Sequence, residues 1–196
     1  MTCSYDPSVG LVVVDVQNDF ADPAGSLAIS GGPEVVAEAN AAVRAAAAGG
    51  APVFYTQDWH PADTPHFAKD GGTWPVHCVQ DTWGAQLHPD LLVRGEVVRK
   101  GEHGEDGYSG FTMRDPISGA SVPTPLAELL RAAEVQRLVV LGLATDYCVR
   151  ATALEGRELG WPVTVPWSAV RAVDLEPGDG ERTRLELLDA GVEVVG

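Results

Sequence analysis

A chain of 196 residues, 45% apolar and 21% charged, has the composition of one globular domain with a real core, which excludes wholesale disorder and fibrous repeats. Thirteen Lys and Arg against 28 Asp and Glu leave a net charge of −15, a balance repelled by phosphate backbones and anionic lipid, so neither nucleic acid nor a membrane is a fitting partner. The apolar run 138–144 is far short of the ~20 residues that span a bilayer. Residues 1–7 lack the basic-then-apolar order of a secretory signal, so the expected address is cytoplasmic. Cys3, Cys78 and Cys148 are too few and too odd a set for a disulfide scaffold, and at least one thiol is free.

Along the chain, the β-branched run 10–16 predicts a strand buried on both faces of a parallel sheet, ending abruptly in polar residues. Pro33 suits a first helical turn, and Val36, Ala39, Val43 and Ala46 follow at helical spacing until Gly49-Gly50 stops the segment. Further strands are predicted at 51–56, 96–99, 137–143, 161–165 and 192–195, about six in all, with helices at 125–133, 145–159 and 181–190. Alternating strands and helices imply right-handed crossovers, hence an α/β three-layer sandwich: a parallel sheet with helices on both faces, in a single domain over residues 1–196. Two stretches, 58–89 and 101–124, are longer than connections need and read as irregular functional loops.

Several residues could carry chemistry. Asp15 ends the first strand beside buried valines, where desolvation would raise its pKa and suit it to act as a base; it could equally cap the following loop. Cys148 follows a strand that breaks at Ala144, with Thr145 in the N-cap position of the next helix. A thiol in a first helical turn is favoured as thiolate, with free N–H groups nearby for an oxyanion, whereas a buried cysteine elsewhere is just a small hydrophobe, the reading kept for Cys3 and Cys78. Lys100 ends the third strand; it is either an ordinary exposed lysine or a charge between Asp15 and Cys148 that keeps both ionised. Asp58, His60, His66 and His77 fall within one loop, with Asp58 and His60 spaced to point the same way, a set suited to one divalent transition metal such as Zn, Fe or Mn. His88 and His103 lie outside that cluster and are left unassigned.

The strings VVVDVQNDF (12–20), GSLAISGG (25–32), DWH (58–60), WPVHCVQDTWGAQLHP (74–89), RKG (99–101), YSGF (108–111) and GLATDYCV (142–149) resemble nicotinamidases of the isochorismatase-like cysteine hydrolases, in order and over nearly the whole chain. The resemblance implies a six-stranded parallel sheet and hydrolysis of nicotinamide, a small-molecule substrate, to nicotinate and ammonia in NAD salvage, with pyrazinamide accepted too. By the same resemblance Cys148 is the nucleophile that forms a thioester, Asp15 the proton shuttle and Lys100 the third member of the triad. The backbone N–H groups of Ala144 and Cys148 form the oxyanion hole, with a cis peptide before Ala144. Asp58, His60, His66 and His77 hold the metal, and Phe20, Leu27, Trp74, Tyr108 and Tyr147 line the ring pocket. Tyr147 stands where some members carry His, and the loop 102–106 is unusually acidic; both bear on substrate preference rather than on the triad. Other readings are an amidase of the same superfamily acting on carbamoyl or ureido compounds, with structural histidines, and a metal-stabilised binding module without turnover. A homo-oligomer is left open.

Overall fold

The apolar runs of the sequence become strands because they bury both faces, and the computed structural model, which describes residues 3–196, assembles them into one sheet. In chain order the elements are β1 (Val9–Val14), α1 (Asn18–Ala21), α2 (Gly32–Gly49), β2 (Val53–Asp58), β3 (Glu96–Lys100), β4 (Thr112–Arg114), β5 (Ser121–Pro123), α3 (Leu126–Ala132), β6 (Arg137–Leu143), α4 (Arg150–Glu158), β7 (Val163–Pro166), β8 (Val170–Arg171), α5 (Asp179–Asp189) and β9 (Glu193–Val195). The sheet order is β3-β2-β1-β6-β7-β9 with every pairing parallel, and the two-residue β8 adds to the end of β6. The expected six-stranded parallel sheet is therefore present, with β8 as an addition. Among the described residues, no helix is long and apolar enough to cross a membrane.

Strand order decides where the helices go. From the centre, the β1-to-β2 crossover through α2 runs one way and the β6-to-β7 crossover through α4 runs the other, so right-handedness puts them on opposite faces. Accordingly α2 packs on β1 and β6, while α4 packs on β6 and β7 and against α5. The order reverses between β1 and β6, and beyond the carboxyl ends of these two strands such a sheet leaves a crevice. The central strands are apolar throughout: Val9, Leu11, Val12, Val13 and Val14 are all buried, each contributing roughly 1.5–3 kcal/mol. The edge strand β3 instead exposes Glu96 and Arg99, charges that discourage edge-to-edge pairing.

Two local expectations need correction. The first strand stops at Val14 rather than at 16, because Asp15 turns into the left-handed region (φ 47°) and its N–H crosses to the Thr56 carbonyl at 3.3 Å. The stretch 101–124 is not wholly irregular: it contains the antiparallel β4–β5 hairpin, whose turn is fastened by the Asp115 carboxylate accepting from the N–H groups of Ile117 and Ser118.

Close packing of β1 on β6 depends on Gly142. Its φ is 123°, and an added Cβ would fall inside the Val14 carbonyl. Gly142→Ala is expected to destabilise the fold by roughly 2–4 kcal/mol through backbone strain and overpacking. At this chain length that lowers the melting temperature by roughly 5–15 °C, measurable by thermal unfolding; an unchanged midpoint would show that β1 and β6 can separate without cost.

Candidate active site

Four strand ends meet at the crevice. Asp15 follows β1, Asp58 ends β2, Lys100 ends β3, and Cys148 lies just past β6. Asp58 and Lys100 are register partners, so sheet pairing alone brings their side chains together. The Lys100 ammonium is ion-paired with Asp58, lies 3.0 Å from Asp15 Oδ2 and reaches Cys148 Sγ at 3.7 Å. Lys100 is only 2% exposed and is therefore not the ordinary strand-end lysine; it sits between Asp15 and Cys148. Oxygens of Asp15 and Asp58 and the Cys148 sulfur all lie within 4.8 Å of one another.

The charges of this cluster follow from burial and pairing. Burial raises the Asp15 carboxyl above the usual carboxylate range, opposed by Lys100 and reinforced by Asp58. Burial also pushes the Cys148 thiol well up, against the pull of Lys100. Burial disfavours the charged form of Lys100, yet Asp15 and Asp58 carry its pKa well above the ordinary value. Burial of Asp58 acts upward too, but Lys100 and His60 outweigh it and hold the carboxyl well below the usual range. The expectation that Lys100 keeps both neighbours ionised holds only in part: its attraction favours the charged forms, but burial outweighs it and raises Asp15 and Cys148 above their ordinary values.

Thr145 does not act as the N-cap. Ala144 takes that position in extended conformation, and Thr145–Val149 form a single wide π-helical turn, closed by the Val149 N–H donating to the Ala144 carbonyl at 3.0 Å, before α4 begins. The Leu143–Ala144 peptide is cis. Within the wide turn, Asp146 faces the loop after β8: its carboxylate accepts from the N–H groups of Val173 (3.0 Å) and Asp174 (2.9 Å).

A small cavity opens over the cysteine. Phe20, Leu27, Trp74, Tyr108 and Tyr147, the residues expected to line a ring pocket, all line it, together with Ala144, Cys148, Asp58, His66 and His77. Trp74 donates its indole N–H to the Tyr108 hydroxyl at 3.0 Å, and Tyr147 stands edge-on to both rings at centroid distances of 4.8 and 5.2 Å.

His60, His66 and His77 gather beside Asp58, their ring nitrogens within 4.8 Å of one another and His60 Nε2 3.7 Å from Asp58 Oδ2. The His77 Nδ1 faces the Pro75 carbonyl at 2.7 Å; a carbonyl can only accept, so Nδ1 carries the proton and Nε2 is bare. His66 Nδ1 likewise meets the Asp106 carboxylate at 2.9 Å. Among the described residues neither ring nitrogen of His60 has a hydrogen-bond partner, although the residue is 1% exposed. Burial lowers the His77 pKa to about 4, with Asp58 opposing, so its imidazole is neutral and available as a ligand. Buried, bare imidazole nitrogens with an ionised carboxylate fit a divalent transition metal. Gly101 (φ 78°) permits this packing, since a Cβ there would lie 2.7 Å from His60 Nδ1. His88 and His103 lie away from the cavity; His88 Nδ1 accepts from the Asp90 N–H at 3.2 Å.

Sequence reading missed the frame around these groups. Thr56 donates its hydroxyl to Asp15 Oδ1 at 2.6 Å. Gln17 braces Asp58 from both sides, accepting from its N–H at 2.8 Å and donating to its carbonyl at 2.7 Å. Asp19 receives the N–H groups of Ser26 (3.0 Å) and Cys78 (2.7 Å), tying the Leu27 loop to the His77 segment. Ile29 and Val173 complete the cavity wall. Gln17 and Asp19 lie within the VVVDVQNDF string, but nothing in their residue types announces a bracing role.

Gln17→Leu, similar in volume, would leave the buried Asp58 N–H without its partner. A loss of roughly 2–4 kcal/mol in denaturant unfolding is expected from the unsatisfied groups; a loss below ~1 kcal/mol would mean that another donor and acceptor replace the amide.

The family model described as Isochorismatase domain matches residues 9–195. The chain is 37% identical to the nicotinamidase of Escherichia coli (strain K12) over 203 residues, covering 94% of this chain and 93% of the relative. The solved structure of the pyrazinamidase of Pyrococcus horikoshii in complex with zinc matches with a TM-score of 0.85 at 37% identity, over 96% of this chain and 99% of that one. PnC1 from L. infantum in complex with nicotinate matches with a TM-score of 0.88 at 34% identity, over 100% of this chain and 96% of that one.

Proposed function

The chain belongs to the isochorismatase family, and from that premise we propose that it is a single-domain, metal-dependent cysteine amidohydrolase that converts nicotinamide to nicotinate and ammonia. Pyrazinamide, whose ring differs by one nitrogen, would be hydrolysed to pyrazinoate at the same site, and the nicotinate would enter pyridine nucleotide salvage. The observation that carries this reading is that one aromatic-walled cavity is lined both by Cys148, backed by Lys100 and Asp15, and by the imidazoles of His66 and His77.

Each group has a task that its surroundings suit. The Cys148 sulfur attacks the carboxamide carbon while its proton passes to Asp15, whose raised pKa allows the carboxyl to hold it. Lys100, 3.7 Å from the sulfur, offsets the charge that develops there. The backbone N–H groups of Ala144 and Cys148 receive the oxyanion. Asp15 then returns the proton to the nitrogen, the C–N bond breaks, and ammonia leaves a C–S thioester. In the second half a water gives its proton to Asp15 and attacks the thioester carbon; the C–S bond breaks, and the proton returns to the sulfur. Asp58, His60, His66 and His77 would hold Zn, Fe or Mn, which supplies a Lewis-acid contact for the ring nitrogen. Phe20, Leu27, Trp74, Tyr108 and Tyr147 enclose the ring.

Ammonia release from a panel of amides, before and after chelation, is the direct test; activity confined to ureido or carbamoyl compounds would overturn the substrate assignment. Cys148→Ala should lower kcat by at least about a thousandfold, and Asp15→Asn equally, since residues acting as a unit are not additive. Cys78→Ala should retain turnover. If a thioester forms, added hydroxylamine should divert the acyl group to nicotinohydroxamate, and rapid quenching should show a mass gain on Cys148; continued ammonia release with neither signal would remove the covalent step.

His60→Ala, His66→Ala and His77→Ala should each lose bound metal on dialysis and raise the apparent KM for nicotinamide. Full occupancy in all three variants, read by elemental analysis, would make the histidines structural.

A further inference from the structure

His66 differs from the other two imidazoles of the cluster in where it stands. It lines the substrate cavity on one side and, on the other, an outer groove bounded by Asp106, Arg114 and the turn of the β4–β5 hairpin. His77 is oriented by a carbonyl two residues away in its own loop, whereas the partner of His66 Nδ1 is a carboxylate forty residues along the chain, Asp106 Oδ1 at 2.9 Å. Asp106 is itself held. Its second oxygen accepts from Arg114 Nη2 at 3.1 Å, and its backbone pairs with that of Arg114 in both directions, N–H to carbonyl at 2.8 and 2.6 Å. Gly104 (φ 87°) and Gly107 (φ 130°) flank it and let the loop turn back onto β4. No residue of this chain of contacts touches the sulfur or the ring pocket except His66 itself.

We propose that Asp106 is a positioning residue for the metal centre: its carboxylate fixes His66 as the Nδ1–H tautomer and aims the bare Nε2 into the cluster, while the β4–β5 hairpin, through Arg114, keeps that carboxylate in place. The inference rests on the metal-centre reading above and extends it to a carboxylate and a hairpin outside the ligand set. A ligating imidazole whose far nitrogen donates to a carboxylate is more basic and loses less freedom on binding, and removing such a partner costs metal affinity roughly ten- to a hundredfold. The hairpin, which is not paired with the main sheet, thereby acquires a purpose.

The test uses the full chain stripped of metal, titrated with Zn2+ against a chromophoric chelator, with zinc release timed under excess EDTA and the visible spectrum of the Co2+ form recorded. Asp106→Ala should raise the zinc Kd roughly ten- to a hundredfold, speed release and alter the Co2+ bands, while the metal-free melting temperature stays near the parent value. Asp106→Asn keeps an acceptor for Nδ1–H and should recover most of the affinity. Arg114→Ala, with the backbone pairing intact, should speed release by a few-fold. A zinc Kd for Asp106→Ala within twofold of the parent, with an unchanged Co2+ spectrum, would overturn the proposal and leave Asp106 a loop anchor. Should Asp106→Ala not fold, Arg114→Ala decides, faster release supporting the proposal and an unchanged rate overturning it. A parent protein that binds neither Zn2+ nor Co2+ would overturn the metal-centre reading and this inference with it, which separates the two failures.

Discussion

An ammonium withdrawn from water costs several kcal/mol unless it is closely paired, and Lys100 is withdrawn almost completely. Two carboxylates answer it, one more than neutrality requires. Lys100 holds the Asp58 carboxyl well below the usual range, whereas at Asp15 burial, reinforced by the charge of Asp58, outweighs Lys100 and raises the carboxyl. The cluster is therefore built with one place for one mobile proton next to a thiol. That place exists because β1, β2 and β3 are adjacent and in parallel register, so that Asp15, Asp58 and Lys100 leave the sheet at the same edge. A register slip of one residue would turn Lys100 to the opposite face and leave both carboxylates unpaired.

The same cation joins the two halves of the site. On one side it touches the sulfur and the proton carrier; on the other it holds the carboxylate that faces the imidazoles. Around this centre the protein uses uncharged or singly purposed polar groups as braces: Thr56 on Asp15, Gln17 on Asp58, and Asp19 between two loops. Each satisfies buried backbone or carboxylate atoms that would otherwise be orphaned, which is why they are as buried as the apolar core.

The fold was legible because its signals are local and strong. Uninterrupted β-branched runs mark central parallel strands, and 137–143 agrees with β6 to the residue. The candidate site was legible because Asp15, Lys100 and Cys148 stand at or just beyond strand ends and the histidines share one loop. What could not be read were features set by tertiary context. The wide turn that displaces Thr145 from the cap, the positive φ of Asp15 and the short β4–β5 hairpin leave no periodic trace in so few residues. The balance of charge also resisted reading, since the spacing of Lys100 shows whom it can meet but not how thoroughly all partners are desolvated. Within the acidic loop 102–106, Asp106 has a local explanation in its contact with His66.

The cavity wall and the reacting groups are inherited from different parts of the chain. Asp15, Asp58 and Lys100 stand at the ends of adjacent strands held in parallel register, whereas Leu27, Trp74, Tyr108 and Val173 arrive on four separate loops that come together over the cavity. Such a division makes the molecule evolvable in one direction: drift within a loop can reshape the ring-binding wall while the chemistry beneath it stays intact. Tyr147 differs from these four. It adjoins Cys148 in the same wide turn, beside the Asp146 carboxylate that secures Val173, so a change of wall at that position is inherited together with the nucleophile's own geometry.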